Sequence, residues 1–587
     1  MFVSAQNQVL SAKAYIGDAK TLLAFNMNKP KIRNLAGFTI SFSPNGTDHY
    51  YIYNRLQFKN PEKHFQNKTE PAYSSINAPF QKFRWLHVPG SFHQGNNVVY
   101  GTYRYTITPR YFDDHGSMLA LDPGLSLGMD VNVNPFKKDK IELGFTRGFV
   151  QSQAFEHHFG NKLVLKPDGS GLLYDTNQQA GTNSDGDAFT YLDEYKWSGF
   201  TARQKIFDVL NQVKNDATLS LDVFAYDLNE TDVVSQMLNL AKQGRIRIIL
   251  DNADLHKSTP SKPAPEDLFT TEFQNQATGN AVIKRGKFAR FSHDKIFIVK
   301  KGNKAIKVLT GSTNLSVTGM YVNSNHIVVF NDPDIAALYE NVFEESWNDN
   351  INAPAFQASQ WAGKTFSFPK NGVPSMDFTF SPHTEIFATK NLKAMADRIS
   401  REKSSVLFAV MDMGVKNSGP IFPTLRDIHK DTSVFSYGIS DNPGGIALYK
   451  PGAKTGVLVT GKPVNSILPS PFNQEVGIGL GHQVHHKFVV CGFNKAKPVV
   501  YCGSSNLALL GEEQNGDNLI AIRDEDIATV FALEALALVD HFHFRNVNQS
   551  KPGKKKPNPI YLATNNKWAG SYYSVDDFHK QDRLLFA

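Results

Sequence analysis

At 587 residues the chain is long enough for about three or four domains with packed cores. With 41% hydrophobic and 20% charged residues it is neither disordered nor collagen-like, and its two cysteines, Cys491 and Cys502, exclude a disulfide framework and a Cys-x-x-Cys zinc site. A formal net charge of +7 favours a polyanionic or phosphate-bearing partner without requiring one.

The first 25 residues lack the basic start, apolar run and small-residue cleavage site of a signal peptide. The longest apolar stretch, 527–539, is shorter than the ~20 residues that cross a bilayer and carries Glu534. Together with the sparse cysteines, this reads as a cytoplasmic chain.

From 37 to 147 the pattern alternates and is aromatic, with strands expected over 37–43, 49–58, 82–88, 98–108, 129–133 and 140–146. Tyr103, Tyr105 and Ile107 share one face, and Pro, Gly and Asn separate the strands, so 1–165 is expected to form an all-β, sandwich-like module. His157 and His158 are adjacent and diverge in any regular element, which favours surface histidines over a metal pair. The Gly- and Asn-rich stretch within 166–195 reads as a linker.

Beyond residue 196 strands and helices alternate. Helices are expected over 202–213, 231–243 and 332–347, and strands over 219–225, 246–250 and 296–299, the last followed by a hairpin at 300–304. The order returns after 386, with helices over 392–401 and 422–429 and strands over 406–410, 434–437 and 487–490. This grammar predicts α/β units with a largely parallel sheet, one over 196–385 and one over 386–587, the latter with a C-terminal tail.

A second signal fixes how the units relate. His293-Asp294-Lys295, Gly311-Ser312-Thr313-Asn314 and Asn323-Ser324-Asn325 return 192 positions later as His485-His486-Lys487, Gly503-Ser504-Ser505-Asn506 and Asn515-Gly516-Asp517. One HxK alone reads as a satisfied core histidine beside a solvated lysine. Two copies with matched spacing read as a duplicated half-site, with the halves facing each other across a pseudo-twofold axis. Two imidazoles and two ammonium groups then surround one point, with Asn314, Asn506, Ser312 and Ser504 as further donors. A phosphodiester needs such a set: a nucleophile, a proton donor for the leaving oxygen and fixed positive charge on the non-bridging oxygens.

The duplicated HxK and GSxN motifs, over about 200–545, resemble those of the phospholipase D superfamily. The resemblance implies two pseudo-symmetric α/β/α sandwich halves, catalytic His293, Lys295, Asn314, His485, Lys487 and Asn506, a phosphohistidine intermediate, and neither metal nor cofactor. By the same analogy His293 is the nucleophile. The family pattern has an Asp five residues after each Lys, where this chain has Lys300 and Gly492. The tyrosyl-DNA phosphodiesterase branch also dispenses with that Asp. Asp517, with Asn325 as its counterpart, is the favoured orienting group, and Glu512 and Glu513 are the alternatives.

For substrate, the basic balance, the cluster Lys284, Arg285, Lys287 and Arg290 beside the first motif, and the lysines within 551–556 favour nucleic acid. The 551–556 run also reads as a solvated loop. A phospholipase D or transphosphatidylase is the alternative, supported by the abundant aromatics but not by any amphipathic membrane helix. A decayed binding scaffold is the third reading. Oligomeric state is not legible in the sequence.

Overall fold

The structure is a computed structural model; it describes all residues except 95–97, 149–151, 370–371, 415–417, 442–455, 461–482 and 548–560, and of 544–547 the backbone alone.

Alternating apolar residues build the N-terminal sandwich. Its first strands are β1 (Phe2–Gln6), β2 (Leu10–Ile16), β3 (Thr21–Met27) and β4 (Leu35–Ser43). β5 (Tyr50–Tyr51), β6 (Arg84–His87), β7 (Gly101–Tyr111) and β8 (Leu127–Val133) complete it. They form two four-stranded sheets, β1-β2-β3-β6 and β5-β4-β7-β8. In β8 the residues Leu127, Met129, Val131 and Val133 are buried while those between them are not, the period-two signature of a half-buried strand. Phe25, Phe38, Phe42, Tyr103 and Tyr105 fill the space between the sheets. The three strands before residue 28 were not among those expected, and of the expected 49–58 strand Tyr50–Tyr51 pairs with β4 while Tyr53 makes an isolated bridge to Ser74.

The C-terminal tail returns to this sandwich. Trp568 Nε1 donates to Leu35 O (3.1 Å), Tyr573 OH to Met27 O (2.7 Å), and Tyr15 OH to Phe586 O at the end of the last helix (2.8 Å).

The next strands belong elsewhere. β9 (Lys137–Lys138) and β10 (Ile141–Phe145), expected in the β module, form the edge of the first α/β sheet. The hairpin β11 (Gln179–Thr182) and β12 (Ala188–Thr190) follows, and a helix begins at Tyr191, capped reciprocally by Thr190 and Asp193. The expected linker is therefore largely ordered. His158 is buried, with Nε2 3.0 Å from Gly90 O, rather than lying on the surface.

The first sheet continues with β13 (Leu219–Ala225), β14 (Ile246–Asp251) and β15 (Val282–Gly286). The two-residue β16 (Phe291–Ser292) precedes β17 (Ile296–Lys301), β18 (Lys304–Gly311) and β19 (His326–Phe330). The second sheet comprises β20 (Phe366–Phe368), β21 (Ser375–Ser381), β22 (Ser405–Val410), β23 (Phe435–Ser440), β24 (Val457–Thr460), β25 (Lys487–Cys491), β26 (Val499–Gly503) and β27 (Asn515–Arg523). Their orders match strand for strand: β15-β14-β13-β17-β18-β19-β10-β9 and β24-β23-β22-β25-β26-β27-β21-β20. The repeat thus begins near residue 137, and 146–190 is an insertion before the first helix.

Both sheets are mixed rather than largely parallel. β13-β14-β15 and β22-β23-β24 run parallel; every other neighbouring pair along each order is antiparallel. The hairpin at Gly302, with φ 58°, sends the chain straight back after the first motif strand, and a two-residue turn can only make antiparallel neighbours.

One core joins the halves: Ile298, Val328 and Phe330 cluster with Phe378, Phe488, Ile520 and Ile522. The helix Glu525–Val547 packs on β22 to β25 and on β2 and β6 of the sandwich, and its 527–539 stretch is buried on every side. This burial accounts for the 527–539 stretch, and no helix among the described residues is long and apolar enough to cross a membrane.

Candidate active site

The two HxK segments sit just ahead of β17 and β25, in connections that cross between the halves. His293 N donates to Gly516 O (2.9 Å) and His485 N to Ser324 O (3.0 Å), and these partners are themselves 192 positions apart. β16 pairs in parallel with the start of β27, while Ser324 bridges Val484. An acid at the end of each second parallel strand holds the approach: Asp251 accepts from Ser292 N (2.6 Å), and Asp441 from Gln483 N and Val484 N (2.9 and 3.0 Å).

The glycine of each GSxN turn is required sterically. Gly311 and Gly503 have φ of 145° and 132°, and a Cβ on either would lie 2.3 Å from a backbone oxygen, His326 O or Asn518 O.

Each histidine is held through Nδ1 by a residue of the other half. His293 Nδ1 lies 2.7 Å from Asp517 Oδ1. His485 Nδ1 lies 2.9 Å from Asn325 Oδ1 and 3.1 Å from Ser312 O. A carbonyl can only accept, so His485 carries its proton on Nδ1, and the neutral ring leaves Nε2 unprotonated. The carboxylate imposes the same tautomer on His293. Pseudo-symmetry is thus broken at one atom: a charged acceptor backs His293 and a neutral one backs His485.

Behind Asn325 runs a buried chain of ordered protons. Asn325 Nδ2 donates to Gly319 O (2.8 Å), which turns its Oδ1 toward His485 and Ser312 Oγ (2.8 Å). Ser312 Oγ accepts from His326 N (3.1 Å), and His326 Nε2 accepts from Gly503 N (3.3 Å). His326 Nδ1 therefore holds that ring's proton, between Ser312 Oγ at 3.1 Å and His486 Nδ1 at 3.2 Å, and His486 Nε2 turns to Glu534 Oε1 at 3.4 Å. Lys20 of the sandwich closes the chain by an ion pair with Glu534.

Electrostatics follow from burial. Desolvation pushes His293 down to about 4 although Asp517 opposes it, and pushes Lys295 down to about 8 against Asp517 and Asp294. Lys487 is lowered by burial and then by repulsion from Lys295, which places the two ammonium groups within each other's field. Burial raises Asp294 to about 7. Lys295 Nζ and Lys487 Nζ each donate to the carbonyl of their own motif histidine, the latter at 2.7 Å.

Asn314 and Asn506 each keep a buried amide oxygen without a partner. Ser312 and Ser504 are fully buried supports, not cleft donors: Ser504 Oγ donates to Asp294 (3.1 Å) and accepts from Asn518 N (3.0 Å). Glu512 takes the Ser505 hydroxyl beside Asn506 and faces His383 (3.5 Å), while the backbone oxygen of Glu513 accepts from Gln357 (3.1 Å).

The basic cluster divides. Lys284 donates to Trp347 O (2.6 Å) and Arg285 is spent on Asp267 (2.6 Å), so these two hold the fold together. Lys287 and Arg290 are exposed, and Arg290 stacks over Phe291 (4.8 Å). The lysines of 551–556 lie outside the described residues.

Four contributors were missed from sequence. The Tyr226 ring lies 4.6 Å from the His293 ring and 4.6 Å from Lys295 Nζ, and Asp227 accepts from Ser316 Oγ (2.7 Å) and Asn314 Nδ2 (3.4 Å). The end of β13, Phe224-Ala225-Tyr226-Asp227, was a legible signal because strand ends carry such residues. Thr146 and Ser381, which hold Asn325 and Asp517, carried none. Asp227, His256 and Glu266 bring ligand atoms within 4.8 Å of one another, although His256 is already committed to Asp251 (2.8 Å).

Comparison with known proteins matches residues 210–347 to the family described as cardiolipin synthase, PLD-like domain. A mitochondrial cardiolipin hydrolase of Chlamydomonas reinhardtii is 23% identical over 133 residues, 22% of this chain and 53% of that protein, so the chain spans about half the relative's length. That relative is mitochondrial by name, where the sequence led us to expect a cytoplasmic chain. Among solved structures, the phospholipase D family member Nuc of Salmonella typhimurium is 19% identical, covering 24% of this chain and 86% of Nuc with a TM-score of 0.20. Phosphatidylserine synthase of Haemophilus influenzae Rd KW20 is 9% identical, covering 61% and 89% with a TM-score of 0.40. The matched PLD-like domain lies on the first half, and the HxK and GSxN pair within it is repeated on the second.

Proposed function

We propose that the protein is a metal-independent phosphodiesterase working through a phosphohistidine intermediate. The observation that carries this reading is the reciprocal pairing of His293 with Asp517 and His485 with Asn325 across the seam between the halves, with Lys295 and Lys487 beside them. His293 Nε2 attacks phosphorus, because the phosphorylated ring bears a positive charge that the Asp517 carboxylate balances through Nδ1. Once protonated beside the anionic substrate, His485 gives its Nε2 proton to the leaving oxygen; it then takes one from the water that cleaves the P–N bond. Lys295, Lys487, Asn314 and Asn506 supply charge and amide groups for the non-bridging oxygens.

Nucleic acid is the substrate class that the site's rim supports. Exposed Arg290 stacks on the half-buried Phe291 ring next to His293, a pair suited to a phosphate and a stacked base. A phospholipid headgroup is the second reading, favoured by the cardiolipin-linked names of the matched family and relative. The test is turnover of single- and double-stranded DNA and RNA and of phosphatidylcholine and cardiolipin micelles, all in excess EDTA. Nucleic-acid cleavage lost in both His293→Ala and His485→Ala is expected. Lipid cleavage alone would replace the substrate class, and full activity in both variants would sink the site. A denaturing quench at alkaline pH, where the P–N bond survives, should trap phosphoenzyme from an activated diester in His485→Ala and none in His293→Ala.

A further inference from the structure

The strand-for-strand equivalence of the two sheets aligns two hydroxyl residues that no motif contains. Thr146 follows β10 and Ser381 ends β21; β10 pairs Phe145 with His326, and β21 pairs Ser381 with Asp517 and Phe380 with Asn518. Each side chain makes the same two bonds. Thr146 Oγ1 accepts from Asn325 N (2.9 Å) and donates to Asn323 O (2.6 Å). Ser381 Oγ accepts from Asp517 N (3.1 Å) and donates to Asn515 O (2.8 Å). Both side chains are buried, at 1% and 4% exposure. Asn325 and Asp517 are the residues that hold Nδ1 of His485 and His293.

We propose that Thr146 and Ser381 are a matched pair of positioning residues, each fixing through one hydroxyl the residue that aims a site histidine of the opposite half. The proposal deepens the phosphodiesterase reading and rests on it for its kinetic part. A hydroxyl that both accepts from residue i and donates to the carbonyl of i−2 clamps the loop in one conformation; a methyl in its place leaves a buried N–H and C=O unpaired and lets the loop shift. Displacement of about 1 Å in a catalytic group lowers turnover by roughly a hundredfold. Thr146 follows the edge strand β10 of the first sheet, and Lys20 of the sandwich anchors the Glu534 end of the proton chain behind Asn325. The sandwich thus reaches the buried chain behind the His485 half-site through Lys20.

The pair makes opposite predictions for the two steps of a ping-pong reaction. With bis(4-nitrophenyl) phosphate, whose leaving group needs no proton, Thr146→Val should keep the burst of nitrophenolate and slow phosphoenzyme breakdown by about ten- to a hundredfold. Ser381→Ala should instead slow the burst itself by a similar factor. Thr146→Ser and Ser381→Thr, which retain the hydroxyl, should restore each step. Histidine 15N chemical shifts provide a readout independent of turnover: the Nδ1–H tautomer of His485 should be lost or averaged in Thr146→Val, and that of His293 in Ser381→Ala, with the other ring unchanged. Equal loss of both steps and both signatures in each variant would mean a merely structural role and overturn the proposal, as would unchanged shifts. Absence of a burst in the native chain with otherwise specific shift changes would overturn the phosphodiesterase reading and leave the positioning assignment standing.

Discussion

The difference between Asp517 and Asn325 sets what each histidine can do. A carboxylate 2.7 Å from Nδ1 stabilises positive charge on His293, whereas an amide at 2.9 Å fixes the His485 tautomer without stabilising its protonated form. Asp517→Asn should therefore lower kcat by about a hundredfold or more with little change in KM, since the amide keeps the contact and loses the charge. Asn325→Asp should raise the pKa of His485. Because the general acid must be protonated, the alkaline limb of the kcat profile with an unactivated diester should move to higher pH; a limb that stays put would show that His485 is not the acid. The adjacent Asp294 and His486 differ in the same sense: the middle residue of one HxK is an acid raised to about 7 by burial, the other a histidine lowered by burial despite Glu534.

At the scale of elements, the middle parallel strand of each half leads to an acid, and one antiparallel strand of each half, β17 or β25, begins at the site. Asp251 and Asp441 end the second parallel strands and tie down the backbone that enters each motif, so register and site geometry are one constraint. The GSxN turns are the tightest points. Gly311→Ala and Gly503→Ala each place a Cβ 2.3 Å from a carbonyl oxygen at a φ that L-residues avoid, and should destabilise the protein by about 3 kcal/mol or more, read as a shift in denaturation midpoint at constant m. Substitution at Gly302, whose Cβ would meet nothing within 4 Å, should have a far smaller effect, limited to its left-handed φ. Comparable midpoints for all three variants would remove the steric account of the motif glycine.

Across the whole molecule, buried ionisable groups give stability an unusual pH dependence. Burial raises Glu512 and Glu230 to about 7 and Glu194 to about 8, so near neutrality these carboxyls hold protons that the unfolded chain has released. More protons bound in the native state means stability falls as pH rises, by about 1.4 kcal/mol per unit for each such group until its folded pKa is passed. Below the unfolded histidine value the sign reverses for His158, His293, His383 and His429, each lowered to about 4 by burial: stability is full above 6.5 and lost as pH falls toward 4. The two sets oppose each other between pH 4 and 6.5, and the carboxyls alone act from 6.5 to 8. Tm should therefore drop between pH 6.5 and 8, and less in Glu194→Gln, whose parent carboxyl is 1% exposed with neither oxygen bonded. A flat Tm over that range would contradict the buried, protonated state of these acids.

The chemistry-bearing residues and the duplication were legible in the chain because spacing is a local property: His-x-Lys, Gly-Ser-x-Asn and the downstream Asn-x-acid recur at one offset whatever surrounds them. Period-two alternation likewise announced the sandwich strands from 101 onward. What lay beyond the sequence was every relation between distant segments. Lys140 to Thr146 reads as one more β-module strand because its alternation is the same in either sheet; only pairing with β19 decides which sheet it joins. Lys284 and Arg285 look like part of a basic patch until Trp347 and Asp267 take them up. The contacts of Asp517 with His293 and of Thr146 with Asn325 link residues far apart in the chain, and no local pattern encodes them. Sequence by itself singled out the candidate reactive groups and their twofold repetition. Tertiary structure decided their orientation, because hydrogen bonds that aim a side chain depend on three-dimensional proximity and not on chain order.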